Sequence, residues 1–150
     1  MLPIKKIVCP VDYSEFSLTA LDTAAELCGK LDADLAVLHV VTPIPKAQGT
    51  PTATSFDIPK YEKHLIKQSR EKLQQLVDER VPGTVTAESA VVQGLEADSI
   101  VNFTENNDGD LIVIATHGRT GLKHFLLGSV TEKVLRHTSK AVLTIHPDRE

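Results

Sequence analysis

Five short runs rich in β-branched and aliphatic residues alternate along this chain with segments of helical period, and that alternation limits the fold more than any other feature. The strand-like runs are Ile4–Val11, Leu35–Val41, Thr84–Val92, Leu111–Ala115 and Ala141–Ile145. Between the first two, Ser14 offers a helix N-cap, Leu18, Leu21, Ala25 and Cys28 recur at helical spacing, and Gly29 marks an approaching stop. Asp57 to about Arg80 reads as the longest helix, with Tyr61, Leu65, Leu73, Leu76 and Val77 on its apolar stripe. A shorter helix follows Gly94 and offers Ala97, Ile100, Val101 and Phe103 for burial, and a last one spans Ser129–Thr138. Asn106–Gly109 is a turn cluster.

This β-α-β-α-β-α-β-α-β order requires a parallel sheet joined by right-handed crossovers, with helices on both faces. Leu35–Val41 and Leu111–Ala115 are near-continuous apolar runs, as strands covered on both sides should be. The expected strand order is 3-2-1-4-5, which leaves Ala141–Ile145 at an edge. Residues 1–150 form one domain without internal repeats. In such sheets ligands bind at the carboxyl ends of the strands where the strand order reverses, so the ends of strands one and four are the candidate crevice.

Composition removes several function classes. The net charge of -4 repels phosphate backbones, and 4% aromatics with no Trp leaves little to stack single-stranded bases, so nucleic acid is not an expected partner. Cys9 and Cys28 stand in no metal-ligand or CxxC spacing and read as reduced cytosolic thiols. The N-terminus carries no signal-peptide pattern, and no apolar stretch is long enough for a bilayer, so the expected location is the cytoplasm. The segment from Thr42 to Phe56 reads as a long surface loop.

The segment Ala115–Ser129 carries the chemistry. Gly118 and Gly121 follow a buried strand, and Gly128 and Ser129 open the next helix. Glycines let main-chain amides approach an anion without a Cβ in the way, and a helix N-terminus adds unpaired N–H donors with a partial positive charge. From Thr116 to Lys140 five basic residues face one acid, Glu132, a local balance of +4. Arg119, inside the loop, is placed to reach a terminal phosphate. Ser129-Val-Thr-Glu132 also fits a capping box, in which Ser and Glu satisfy the first amides without a ligand; the two uses are compatible. No GxxxxGK[ST] string, nucleophile elbow or carboxylate cluster is present, so no catalytic residue and no protein-held metal is assigned.

With these residues in view, the loop resembles the Gly-x2-Gly-x9-Gly-Ser signature of the universal stress protein family: Gly118, nine residues, then Gly128-Ser129, continuing into Val130 and Thr131. Cys9-Pro-Val-Asp12 with Ser14, and Leu38-His-Val40, resemble the same family, and the similarity covers essentially the whole chain. The signature's first glycine is Ala115 here; a methyl group is tolerable if that backbone is extended with negative φ. The resemblance is to the ATP-binding branch, and it implies a Rossmann-like, adenine nucleotide alpha hydrolase-like fold. It further implies that Pro10 and Val11 wall the adenine, that Asp12 accepts from the ribose hydroxyls near Ser14, and that Val40 reads the adenine edge through its backbone. Ala115, Thr116, His117, Gly118, Arg119, Gly128, Ser129, Val130 and Thr131 then surround the phosphates. ATP, or AMP or ADP, is the implied ligand, with Mg2+ or Mn2+ held through phosphate oxygens. A homodimer through the C-terminal strand is implied as well. The function expected is that of an ATP-binding stress-response regulator. The alternatives are a slow ATPase or adenylyl-transferring enzyme using the same crevice, and a nucleotide-free dimeric interaction module.

Overall fold

Ile7, Leu35, Leu111 and their neighbours drive the assembly by leaving water on two faces of one sheet. A computed structural model describes residues 3–45, 57–118 and 127–146. Its elements run β1 (Lys6–Pro10), α1 (Glu15–Leu31), β2 (Asp34–Val41), α2 (Ile58–Arg80), β3 (Ala87–Gln93), α3 (Glu96–Asn106), β4 (Leu111–Ala115), α4 (Ser129–His137) and β5 (Ala141–Ile145). The five strands form one parallel sheet, as the alternation requires, and their order is the expected β3-β2-β1-β4-β5.

Side chains that alternate along the strands divide the core in two. Ile7, Cys9, Leu35, Val37, Leu111 and Val113 pack beneath α1 and α2, against Leu21, Ala24, Leu73 and Val77. Val8, Ala36, Leu38, Ile112 and Ile114 face the other way, against Ala97, Ile100 and Val101 of α3 and Val134 of α4. The stripe expected on α2 is buried only at Leu73 and Val77, and Tyr61 is exposed, because that end of the helix extends beyond the core. Phe103 is half-buried, while Thr104 beside it is fully buried and donates to Ile100 O at 2.7 Å.

The element boundaries have local causes. The first helix does stop just past Gly29: α1 ends at Leu31 and closes on Asp32, whose left-handed backbone (φ 52°) lets its N–H donate to Cys28 O. The third strand begins at Ala87, since the Pro82-Gly83 turn takes up the preceding residues and Val85 N donates to Pro82 O at 2.9 Å. Cys9 and Cys28 are free and buried. Burial pushes the Cys9 thiol far up, and the Cys28 thiol is pushed up to about 11 by burial and by Asp34, so neither is a reactive thiolate. Among the described residues, no helix is long and apolar enough to cross a membrane.

Asp110 ties the start of β1 to the start of β4: its Oδ2 accepts from Lys5 N at 2.8 Å and Lys6 N at 3.0 Å. The Lys5 amide, opposed by partial burial and aided by the Lys6 amide, holds this carboxyl below its ordinary range. A depressed carboxylate stabilises the fold above its unfolded-state value, about 3.9, and that contribution is lost as pH falls through the folded-state value. Asp110→Asn should therefore cost about 1 kcal/mol or less at neutral pH, the site being partly open to water, and the cost should shrink below pH ~4. Thermal melts of both proteins across pH 2–7 check this.

Candidate functional site

The sheet itself opens the crevice. β1 pairs with β4 only at Ile7 with Leu111 and Val8 with Ile112, although β1 continues to Pro10 and β4 to Ala115. Beyond those pairs the two strands part, at the point where the strand order reverses. A cleft of about 520 Å³ lies there, walled by the ends of β1, β2 and β4, the first turn of α4 and parts of α2 and α3.

On the β1 side, Pro10, Val11 and Asp12 line the cleft. Asp12 Oδ1 accepts from Ser14 N at 2.9 Å and from Ser14 Oγ at 2.5 Å, and Asp12 N donates to Ser17 Oγ at 3.3 Å. Ser14 is the N-cap of α1, its Oγ accepting from Ser17 N at 3.2 Å. Ser14, which the resemblance places at the nucleotide, fixes Asp12 and does not itself line the cleft. The turn between them passes through Tyr13 with φ 65°, a left-handed conformation costly for an aromatic residue. Packing holds it: the Tyr13 ring lies 4.8 Å from the His39 ring, and Lys72 Nζ sits 3.8 Å from its centroid.

Strand β2 contributes main-chain groups. Leu38 O accepts from Val11 N at 2.8 Å, so Leu38 directs its backbone toward β1, and Val40, two residues on, does the same. The pairing of β1 with β2 stops at Pro10 with Leu38. The amide and carbonyl of Val40 consequently face the cleft past the end of β1. The Val11 carbonyl meets His39 Nδ1 at 2.8 Å. His39 is half-buried and lines the cleft.

The far wall is the β4 loop. Ala115 ends β4, and the non-glycine residues with positive φ among those described are Tyr13, Asp32 and Asp108, so Ala115 has the negative φ in which a methyl group costs nothing. Thr116 is buried and structural: its N donates to Ile145 O at 2.9 Å, and its O accepts from Gly128 N at 2.6 Å, closing the neck of the loop. A Cβ on Gly128 would stand 3.0 Å from that same Thr116 O, and one on Gly118 would stand 2.7 Å from Asp12 Oδ2. A side chain at Gly118 would have to push the Asp12 carboxylate aside, and one at Gly128 would crowd the Thr116 main chain. Arg119, Gly121 and Lys123 lie outside the described residues.

The expected capping box does not form. Gly128, not Ser129, is the N-cap of α4, and no side chain caps the helix. Ser129 is the first helical residue; Glu132 donates its N–H to Gly128 O at 3.0 Å and pairs through its carboxylate with Arg136 at 2.8 Å. The amides of Ser129, Val130 and Thr131 fall in the first turn, ahead of the helical ladder, and all three residues line the cleft. The Gly128 amide, by contrast, is committed to Thr116 O. Thr131 Oγ1 donates to Ala115 O at 2.8 Å, which clamps α4 onto the end of β4. His117 lines the cleft with its Nδ1 3.0 Å from Thr116 Oγ1.

A family model, the universal stress protein family, matches residues 3–146. The chain belongs to the universal stress protein family. Among curated universal stress proteins, MJ0531 of Methanocaldococcus jannaschii is 33% identical over 141 residues, covering 94% of this chain and 81% of that protein. Among solved structures, MJ0577, whose biochemical function is described as assigned from its structure, superposes with a TM-score of 0.77 at 25% identity, covering 98% of this chain and 99% of that one. A universal stress protein solved in complex with cAMP gives a TM-score of 0.67 at 24% identity, covering 95% and 97% of the two chains.

Against this universal stress protein's cleft, sequence reasoning missed Leu65 and Ser69 of α2 and Glu96 of α3, besides His39. His39 was accessible in principle, since it stands beside Val40 at the carboxyl end of a strand. Nothing in the sequence says how the helices lean, and Leu65, Ser69 and Glu96 depend on that. Among the described residues, no group of three or more His, Cys, Asp or Glu side chains is placed to hold a metal ion.

Proposed function

We propose that this universal stress protein is a cytoplasmic regulator that holds an adenine nucleotide, ATP foremost, in the cleft between β1 and β4. The observation that carries this reading is the convergence of donors without side-chain caps at the start of α4 on a cleft whose opposite wall presents Asp12 and the Val40 backbone. Helix-start amides with glycines on either side favour an anion, and a carboxylate beside them favours a sugar diol. The cAMP held by a structural relative supports an adenine nucleotide as the occupant.

In this reading the phosphates lie against Ser129, Val130 and Thr131, with Gly118 and Gly128 keeping the approach open. Asp12 takes the ribose hydroxyls, and Val40 presents one acceptor and one donor to the adenine edge. Arg119 supplies positive charge toward the terminal phosphate. Mg2+ or Mn2+ enters with the triphosphate, held by phosphate oxygens. β5 is an edge strand with Leu143 partly exposed, which favours a homodimer through this edge.

Native mass spectrometry of the purified full-length protein tests nucleotide and dimer together. The expected spectrum is a dimer carrying adenine nucleotide, replenished by added ATP with Mg2+. A bare chain that takes up no nucleotide at millimolar ATP contradicts the proposed ligand, and a monomer mass at micromolar protein contradicts the dimer.

A further inference from the structure

The strand order fixes which end of the cleft is which. Passing across the carboxyl edge of the sheet from β4 through β1 to β2, the wall changes from Gly118 and Ser129 to Asp12 and then to Val40. Past Val40, the wall is completed by residues outside the phosphate loop and the first strand: Leu65 and Ser69 on one helix and Glu96 on another. Leu65 and Ser69 are four apart on α2 and share one side of it. Glu96 is the first residue of α3, which follows β3 on the opposite face of the sheet from α2. A ligand whose phosphates meet α4 and whose sugar meets Asp12 must therefore put its base between these two helices.

We infer that Glu96 is a specificity-determining residue of this cleft, its carboxylate accepting a hydrogen from the exocyclic 6-amino group of the base and so excluding 6-oxo purines; this rests on the nucleotide-holding role proposed above. An ionised carboxylate only accepts, an amino group only donates, and a 6-oxo group would meet it as a second acceptor. The 6-amino group carries two hydrogens, so one can reach the Val40 carbonyl and the other Glu96. Glu96 also stands in the first turn of α3, where an acid complements the helix dipole whether or not a ligand is present. That role changes stability and leaves base preference unmoved, which separates the two.

The test is calorimetric titration of the full-length protein and of Glu96→Ala with ATP and with ITP, both with Mg2+, alongside thermal melts. The wild-type protein is expected to favour ATP over ITP, and Glu96→Ala should reduce that ratio about three- to tenfold by weakening ATP while leaving ITP equal or tighter. An unchanged ratio in Glu96→Ala, with ATP still bound by the wild type, overturns the role of Glu96 alone. A wild type that binds neither nucleotide overturns it together with the reading it rests on. Equal weakening of both nucleotides also overturns it, since it would report a general change in the cleft.

Discussion

Asp12→Ala should weaken ATP binding about 10- to 100-fold, near 2 kcal/mol, while the protein stays folded. The carboxylate is held in place rather than adaptable: Ser14 donates to Oδ1 through both its amide and its hydroxyl, and Ser14 is itself locked as the cap of α1. A charged acceptor already oriented by its neighbours loses little entropy on meeting a ribose, so its removal is costly to binding. Asp12→Ala also strips a turn contact next to the left-handed Tyr13, which should lower stability by about 1 kcal/mol, well within what a domain of this size tolerates. Gly118→Val crowds the same carboxylate, since its Cβ would stand 2.7 Å from Asp12 Oδ2. Both variants should lose affinity in calorimetry with Mg2+ and ATP. Unchanged affinity in both would remove Asp12 and the glycine loop from the binding account.

The largest effect on stability is expected at Ile112. This residue of β4 is fully buried, paired with Val8 on one side and Val142 on the other, and packed in the core beneath α3 and α4. Ile112→Ala removes three carbons from a site enclosed by sheet on both edges, where little can move in to fill the space. The expected loss is about 3–4 kcal/mol in chemical denaturation, against about 1 kcal/mol for Ile112→Val. Because Ile114, Val130 and Ile100 line the cleft and belong to the same packed layer, Ile112→Ala should also loosen nucleotide binding modestly. A loss below 1 kcal/mol would mean that this layer is not the rigid support described.

The parts of this molecule legible in the sequence are those whose physics is local. β4 and β5 fall on the residues expected because apolar runs bounded by turn residues have few other solutions. Alternation with helical crossovers likewise pointed to a parallel sheet with helices on both faces. Gly29 marked the approaching end of α1, although Asp32 supplies the left-handed turn that closes it. Ser129 misled: a Ser-x-x-Glu string matches a capping box, but Gly128 is the N-cap and Glu132 turns to Arg136. Of the cleft residues, Gly118 and Gly128 could be picked out from the glycine pattern of the loop, and Pro10, Val11, Asp12 and Val40 through the family resemblance. Leu65, Ser69 and Glu96 could not, because their place on the cleft comes from helices leaning over the sheet, and no short-range pattern encodes that lean.

The central claim is positional: the first-turn amides of α4 receive the phosphates while the Val40 backbone receives the base. Amide-resolved NMR titration of the isotopically labelled protein with Mg2+ and ATP tests it most directly. The account predicts that the Ser129, Val130, Thr131, Gly118 and Val40 amides shift together along one binding curve, with the Gly128 amide less affected because it stays on Thr116 O. Shifts confined to other parts of the sheet, or none at saturating ATP, would contradict it.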